Sequence, residues 1–194
     1  QRQMCIRDRF STGVLVGRFQ HIHKGHEKLI EIGLSLCDTL LIFVGSADKV
    51  GTFRNPYDAE YRIKIISKIY SREISEGRIL LSPISDLTNE NDFTKDWGKY
   101  VILQATKKLN ECPKCIIYGK DKNIFKCFPK SIVKNITEVL VDRGALEISA
   151  TMIREYLIKD DYENWKKYVN EKIYGDYEEL RGKLMKVVGG VNNE

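Results

Sequence analysis

The sequence predicts an α/β fold: a doubly wound, mostly parallel five-stranded sheet followed by C-terminal helices. Three observations carry this. Short apolar strand patterns alternate with helical stretches of crossover length. The run TLLIFV, Thr39 to Val44, is apolar on both faces, as a parallel strand covered on both sides must be. A glycine turn at Gly17 directly follows the first strand pattern and precedes a helical one.

The elements follow in order. Gly13 to Val16 gives a first strand, and Leu29, Ile30, Gly33 and Cys37 mark one face of the first helix. Thr39 to Val44 is the second strand. Pro56 stands just before a helix over Tyr57 to Tyr70, in which Ile63, Ile66 and Ile69 recur every three residues. Arg78 to Ser82 is the third strand. Phe93 to Leu109 reads as a helix with Trp97, Tyr100, Val101, Gln104 and Ala105 on one side, and Cys115 to Tyr118 as the fourth strand. Ile136 to Val141 forms the fifth. Ser149 caps a helix through Leu157, and Tyr162 to Val188 is further helix with breaks at Gly175 and Gly182. Residues 1–10 are expected to be a non-native or disordered leader, because QRQMCIRDR lacks any periodicity and resembles translated cloning sequence. Residues 11–188 then form one domain, and 189–194 a disordered tail, with no second catalytic module after Leu157.

Composition narrows the function. With 194 residues, 42% hydrophobic and 30% charged, the chain is long enough for a substantial core and reads as cytoplasmic, with no membrane partner. Its formal charge of +5 is spread among acids rather than gathered into a stripe, which argues against nucleic acid and suits an enzyme that handles polyanionic phosphates. The five cysteines are odd in number and are expected to be reduced thiols. Cys112 and Cys115 form a C-x-x-C pair that reads as a turn around Pro113, a zinc site being the alternative.

The strongest local signal is GRFQHIHKGH, Gly17 to His26, which holds all three histidines of the chain, His21, His23 and His26. It falls between a strand and a helix N-terminus, where unpaired N–H groups and the helix dipole favour an anion. Gly17 and Gly25 allow close approach of backbone and ligand. A metal site with Glu27 as its neighbouring carboxylate, and plain packing histidines, are the competing readings. The second signal is ISATMIR, Ile148 to Arg154. There Thr151 and Arg154 share one face behind the Ser149 cap, placed to converge on phosphate oxygens; a solvent-facing arginine behind an ordinary cap is the alternative.

GRFQ-x-x-H-x-G-H and I-S-x-T-x-x-R together resemble the signatures of the cytidylyltransferase-like nucleotidyltransferase superfamily, in its nicotinamide-nucleotide adenylyltransferase branch. Weaker matches are GSADKVGTFRNPYDAEYR, Gly45 to Arg62, and Tyr118-Gly119-Lys120-Asp121. The resemblance spans Gly13 to Leu157, with one departure: His21 stands where the branch has proline, which removes a ring constraint from the loop. It implies a Rossmann-like nucleotidyltransferase fold and transfer of AMP from ATP to nicotinamide mononucleotide, giving NAD and pyrophosphate. His23, His26 and Arg154 would be catalytic. Gly17, Arg18, Phe19, Gly25, Gly119, Asp121, Ser149, Thr151 and Arg154 would bind ATP. Gln20, Asn55 and Trp97 would bind the acceptor, with a core tryptophan as the other reading of Trp97. Mg²⁺ would accompany ATP without a dedicated protein metal site, and homo-oligomers occur in the branch. Nicotinate mononucleotide, phosphopantetheine, FMN, a polyol phosphate with CTP, or a non-catalytic nucleotide sensor remain alternatives.

Overall fold

Residues 9–88, 94–119, 126–142 and 148–190 are described in a computed structural model of the chain. Five parallel strands, β1 (Phe10–Gly17), β2 (Cys37–Val44), β3 (Ile79–Pro83), β4 (Cys115–Gly119) and β5 (Thr137–Val141), form one sheet in the order β3-β2-β1-β4-β5. Helices α1 (Lys24–Leu36) and α2 (Ala59–Ile69) connect the first three strands, with a short α3 (Ser71–Ser75) before β3. Helix α4 (Lys95–Leu109) leads into β4, α5 (Ala150–Ile158) follows β5, and the chain ends in α6 (Tyr162–Trp165), two 3-10 turns and α7 (Tyr177–Gly190).

The alternation of side chains along each strand divides the core into two layers. Leu15, Leu40, Ile42, Val44, Cys115 and Ile117 pack beneath α1, α2, α5 and α7. Val14, Leu41, Phe43, Ile116 and Tyr118 pack on the other face against α4 and Phe128, Val133 and Ile136. Each fully buried aliphatic side chain contributes about 1.5–3 kcal/mol. The chain runs outward from β1 through β2 to β3, then crosses back to β4. The connections after β1 and β4 therefore leave neighbouring strands toward opposite faces, and open the crevice in which such sheets bind ligands.

Several boundaries differ from the sequence pattern. The first strand begins at Phe10, ahead of Gly13. Cys37 belongs to β2 rather than to α1; its Sγ lies 3.2 Å from that of Cys115, across Gly13 of the intervening strand. Helix α2 begins at Ala59 rather than at Tyr57, because Asp58 caps it, its side chain accepting from Tyr61 N. Its buried face is Tyr61, Arg62, Ile65, Ile66 and Ile69, with Ile63 only half-buried. The C-terminal break occupies the 3-10 turns Lys166–Tyr168 and Glu171–Asp176, which include Gly175; Gly182 lies within α7 and interrupts nothing, and α7 continues to Gly190. Cys112 is exposed and Cys115 buried, so the C-x-x-C pair straddles the turn into β4; Cys37, Cys112, Cys115 and Cys127 are free thiols.

Helix α4 rests directly on backbone. A Cβ at Gly98 would lie 1.9 Å from the carbonyl oxygen of Cys127. Replacing Gly98 with Ala offers about 1 kcal/mol of helix propensity, against about 1–3 kcal/mol for forcing apart a packed contact. Because the obstructing atom is backbone, the clash wins, and urea denaturation of Gly98→Ala is expected to show a net loss of stability; a gain would mean that α4 lifts freely.

Candidate functional site

The loop from β1 to α1 is shaped by its own side chains. Phe19 adopts a left-handed backbone (φ 50°) and its ring folds back over Gly17, where a Cβ would come within 2.8 Å of ring atoms. That approach requires glycine at position 17. The Phe19 ring also lies 5.0 Å from that of His26. Gln20 is buried and its Oε1 accepts from Tyr57 N at 3.1 Å, fastening the loop to the segment that enters α2.

His23 is the N-cap of α1: its Nδ1 accepts from Gly25 N at 3.2 Å, and its carbonyl accepts from His26 N at 2.7 Å. An imidazole that accepts at Nδ1 carries its proton on Nε2, so the neutral His23 ring keeps an N–H donor there. The His23 and His26 rings lie 3.9 Å apart between centroids, tilted by 37°, with His23 buried and His26 half-buried. Both therefore sit on the first turn of α1, beside the helix's unpaired amides and the positive end of its dipole.

His21 does something else. Its Nδ1–H donates to the Ile22 carbonyl at 2.8 Å while Nε2 accepts from Trp165 Nε1 at 3.0 Å, and the ring is buried. Burial pushes its pKa down to about 4, with the nearby Arg154 adding to the effect. The ring is neutral and held at both nitrogens, so position 21 is fixed despite the absence of proline.

Arg62, on α2, gathers the ends of two strands. Its Nη1 donates to the carbonyls of Arg18 and Gly45, the latter at 2.7 Å, while Nη2 donates to the Ser46 carbonyl at 3.2 Å and Nε to that of Asp58 at 3.1 Å. Two of these carbonyls immediately precede Phe19 and Ser46, the two non-glycine residues with left-handed backbone in the described loops after β1 and β2. Burial lowers the Arg62 pKa to about 10, which leaves the guanidinium charged.

Ser149 caps α5, its side chain accepting from Met152 N, and Arg154 Nη2 donates to Thr151 Oγ1 at 3.3 Å. Thr151 is exposed, but Arg154 is only 4% exposed, which overturns the picture of a solvent-facing arginine behind an ordinary cap. Its guanidinium lies over the Phe53 ring at 5.1 Å. Burial lowers its pKa, Tyr57 opposes this, and the charges of Arg18 and Arg54 lower it further. Among the described residues, Arg154 Nε has no hydrogen-bond partner. Three guanidiniums thus share one region with the histidine loop, a concentration of cations that a polyanion would relieve.

The remaining positions are more dispersed. Asn55 is fully buried in a tight reversal, its N donating to the Thr52 carbonyl at 2.9 Å. Trp97 sits half-buried in the first turn of α4, edge-on to Phe128 at 6.2 Å, and belongs to the layer opposite the histidine loop. Gly119 ends β4, and Asp121 and Lys120 lie outside the described residues. Among the described residues no group of three His, Cys, Asp or Glu side chains could hold a metal ion, and no helix is long and apolar enough to cross a membrane. Arg62, Arg54, Tyr57 and Trp165 were not given roles by the sequence, although the E-x-R ending of the Gly45 to Arg62 match pointed to the first of them.

A parallel sheet with helix-borne imidazoles and a buried arginine at its carboxyl end defines an enzyme of the nucleotidyltransferase class. The cytidylyltransferase-like family model matches residues 14–156, and the chain belongs to that family. Similar relatives include the nicotinamide-nucleotide adenylyltransferase of Saccharolobus solfataricus, 28% identical over 182 residues that cover 92% of this chain and 98% of that protein. The corresponding protein of Thermococcus kodakarensis is 26% identical over 171 residues, 88% and 84% of the two chains. Among solved structures, the bifunctional NMN adenylyltransferase/ADP-ribose pyrophosphatase of Francisella tularensis, complexed with AMP and a manganese ion, superposes with a TM-score of 0.71 at 21% identity; the match covers 94% of this chain. This chain spans only about half, 53%, of that bifunctional protein.

The buried, neutral His21 sets a pH dependence. Its folded pKa of about 4 lies below the ordinary 6.5, so the unfolded chain binds the extra proton between these values and folding stability falls as pH drops from 6.5 toward 4. The interval corresponds to about 3 kcal/mol. Chemical denaturation at pH 7 and pH 4.5 is expected to show a larger acid loss in the wild type than in His21→Gln; equal losses would mean that His21 titrates normally.

Proposed function

We propose that the chain transfers AMP from MgATP to nicotinamide mononucleotide, forming NAD and releasing pyrophosphate. The observation that carries this is the pairing of His23 and His26 on the first turn of α1, with the buried, cation-flanked Arg154 held on α5 in electrostatic contact with the same loop. The names and organisation of the relatives favour adenylyl transfer to a pyridine mononucleotide.

In this reading a phosphate oxygen of the acceptor attacks the α-phosphorus of ATP in line. A new P–O bond forms as the bond to the bridging oxygen breaks, and pyrophosphate departs with its electron pair. A phosphate whose second pKa is about 6 is already anionic near neutrality, so no general base is required. Catalysis then rests on alignment and on donors directed at growing charge. His23, through Nε2–H, His26 and Arg154 supply those donors. Gly17, Arg18, Phe19 and Gly25 form the near wall for the nucleotide, with Gly119, Ser149 and Thr151 completing it, and Asp121 is assigned to the same nucleotide by the family resemblance alone. Gln20, whose Nε2 has no partner among the described residues, receives the acceptor together with Asn55, whereas the packing of Trp97 on Phe128 in the opposite layer favours its reading as a core tryptophan. The divalent ion enters as part of the MgATP substrate, which suits a donor set of imidazole, guanidinium and backbone.

Pyrophosphate release should be measured with ATP and Mg²⁺ across nicotinamide mononucleotide, nicotinate mononucleotide, phosphopantetheine and FMN, and with CTP and a polyol phosphate. Nicotinamide mononucleotide is expected to give the highest kcat/KM, and silence with every acceptor would leave only a nucleotide sensor. His26→Ala is expected to lower kcat by about two to three orders of magnitude with an unchanged circular dichroism spectrum; wild-type turnover would remove His26 from the reaction. Arg154→Ala is expected chiefly to raise the KM for ATP, and unaltered ATP kinetics would defeat that assignment.

A further inference from the structure

Three side-chain contacts join the histidine loop and the start of α1 to one short stretch of the C-terminal part. Trp165 Nε1 donates to His21 Nε2 at 3.0 Å, Lys24 Nζ donates to the Lys167 carbonyl at 2.7 Å, and Asn170 Nδ2 donates to Glu27 Oε2 at 2.7 Å. The contacts run in the same order along both segments, so that positions 21, 24 and 27 meet 165, 167 and 170. They bracket His23 and His26 on either side.

The anchor beneath them is firm. Trp165 is fully buried, its ring 5.0 Å from that of Tyr177, 5.8 Å from Tyr162 and 6.1 Å from Tyr174. His21 is closed at both nitrogens, and Tyr57 packs edge-on against it at 6.2 Å. No exchange of partners is open to this ring without leaving a buried polar atom unmatched. A phosphate-binding constellation needs its supporting side chains locked in this way, because small displacements of donors cost much of their effect.

We propose that the segment from Trp165 to Asn170 is a brace on the histidine loop, and that His21 is the positioning residue through which it holds His23 and His26 in their phosphate-binding arrangement. The proposal rests on reading that loop as the triphosphate site. His21 and Trp165 themselves touch no substrate. Their hydrogen bond supplies, from across the chain, the rigidity that a proline ring at position 21 would supply locally.

The test compares the wild type with His21→Leu, His21→Gln and Trp165→Phe. MgATP affinity is read by calorimetry, and amide hydrogen exchange at Gly25, His26 and Glu27 is read without nucleotide. His21→Leu and Trp165→Phe are expected to bind MgATP about tenfold more weakly, the loss that one buried hydrogen bond represents, and to exchange faster at those amides. His21→Gln, whose amide oxygen can accept the indole N–H, is expected to stay near the wild type in both readouts. A role in folding alone would lower the melting temperature of His21→Leu while leaving its MgATP affinity and its exchange at those amides like those of His21→Gln, and that result too would overturn the brace. Wild-type affinity and exchange in Trp165→Phe, or a Gln variant no better than Leu, would overturn the brace. If His21→Leu does not fold, the contrast between Trp165→Phe and His21→Gln decides the matter. If the wild type itself fails to bind MgATP, the proposed function falls, while exchange at Gly25 to Glu27 still decides the brace.

Discussion

The guanidinium of Arg62 is the fastening on which the functional end of the sheet depends. Phe19 and Ser46 adopt left-handed backbone without glycine's freedom, and such residues cost about 1–3 kcal/mol each unless their surroundings determine them. Both follow a peptide whose carbonyl accepts from Arg62, and hydrogen bonds to a charged group contribute about 1.5–3 kcal/mol each. The bonds are of the size needed to offset the strain, so one side chain of α2 holds the exit geometry of both β1 and β2. A trans peptide whose carbonyl turns toward Arg62 turns its N–H the opposite way. The two loops thus have their peptide dipoles set by an interior cation before any ligand arrives.

The same region concentrates positive charge at some cost. Arg154 is buried beside Arg18 and Arg54, and both burial and like charge disfavour its protonated form. Such an arrangement is poor for stability and suited to a polyanion, because the field is already oriented and its repulsion would be relieved by phosphates bound as proposed. The His21 ring, lying within reach of Arg154, stays neutral for the same reason that the arginines are strained: it is buried beside a cation. Only uncharged imidazole can accept the indole proton of Trp165. Electrostatics and hydrogen bonding at position 21 therefore demand the same protonation state.

What the sequence disclosed was whatever lies close along the chain. The Ser149 cap and the shared face of Thr151 and Arg154 span three residues, and their spacing is visible as a motif; that His23 caps α1 emerged only from the structure. The parallel, doubly wound sheet followed from alternation because parallel strands require crossovers, whereas the order of its strands did not. Boundaries failed where two signals competed: Cys37 continues the helical period but is buried as the first residue of β2, and Asp58 captured the start of α2 from Pro56. Gly182 is tolerated inside α7, where nothing within 4 Å of a Cβ would show why it should break the helix. The bonds of His21 to Trp165 and of Glu27 to Asn170 join residues more than 140 positions apart and leave no periodic trace. Arg62 was visible only as one letter of a longer match, since nothing local reveals that its partners are carbonyls of two other loops.

These long-range bonds change what the C-terminal part is. A loop stiffened by proline owes its shape to its own covalent geometry and would keep it if the last helices loosened. A loop stiffened by a buried indole shares the fate of the segment that carries the indole. Trp165 is the last residue of α6, directly before the break that precedes α7, within an aromatic cluster that also includes Tyr162, Tyr174 and Tyr177. Opening that cluster removes the partner of His21, and disordering the loop removes a wall of the cluster, so the two form one cooperative unit of local stability. By linkage, whatever orders the loop must also stabilise the docking of the C-terminal helices, by the same free energy.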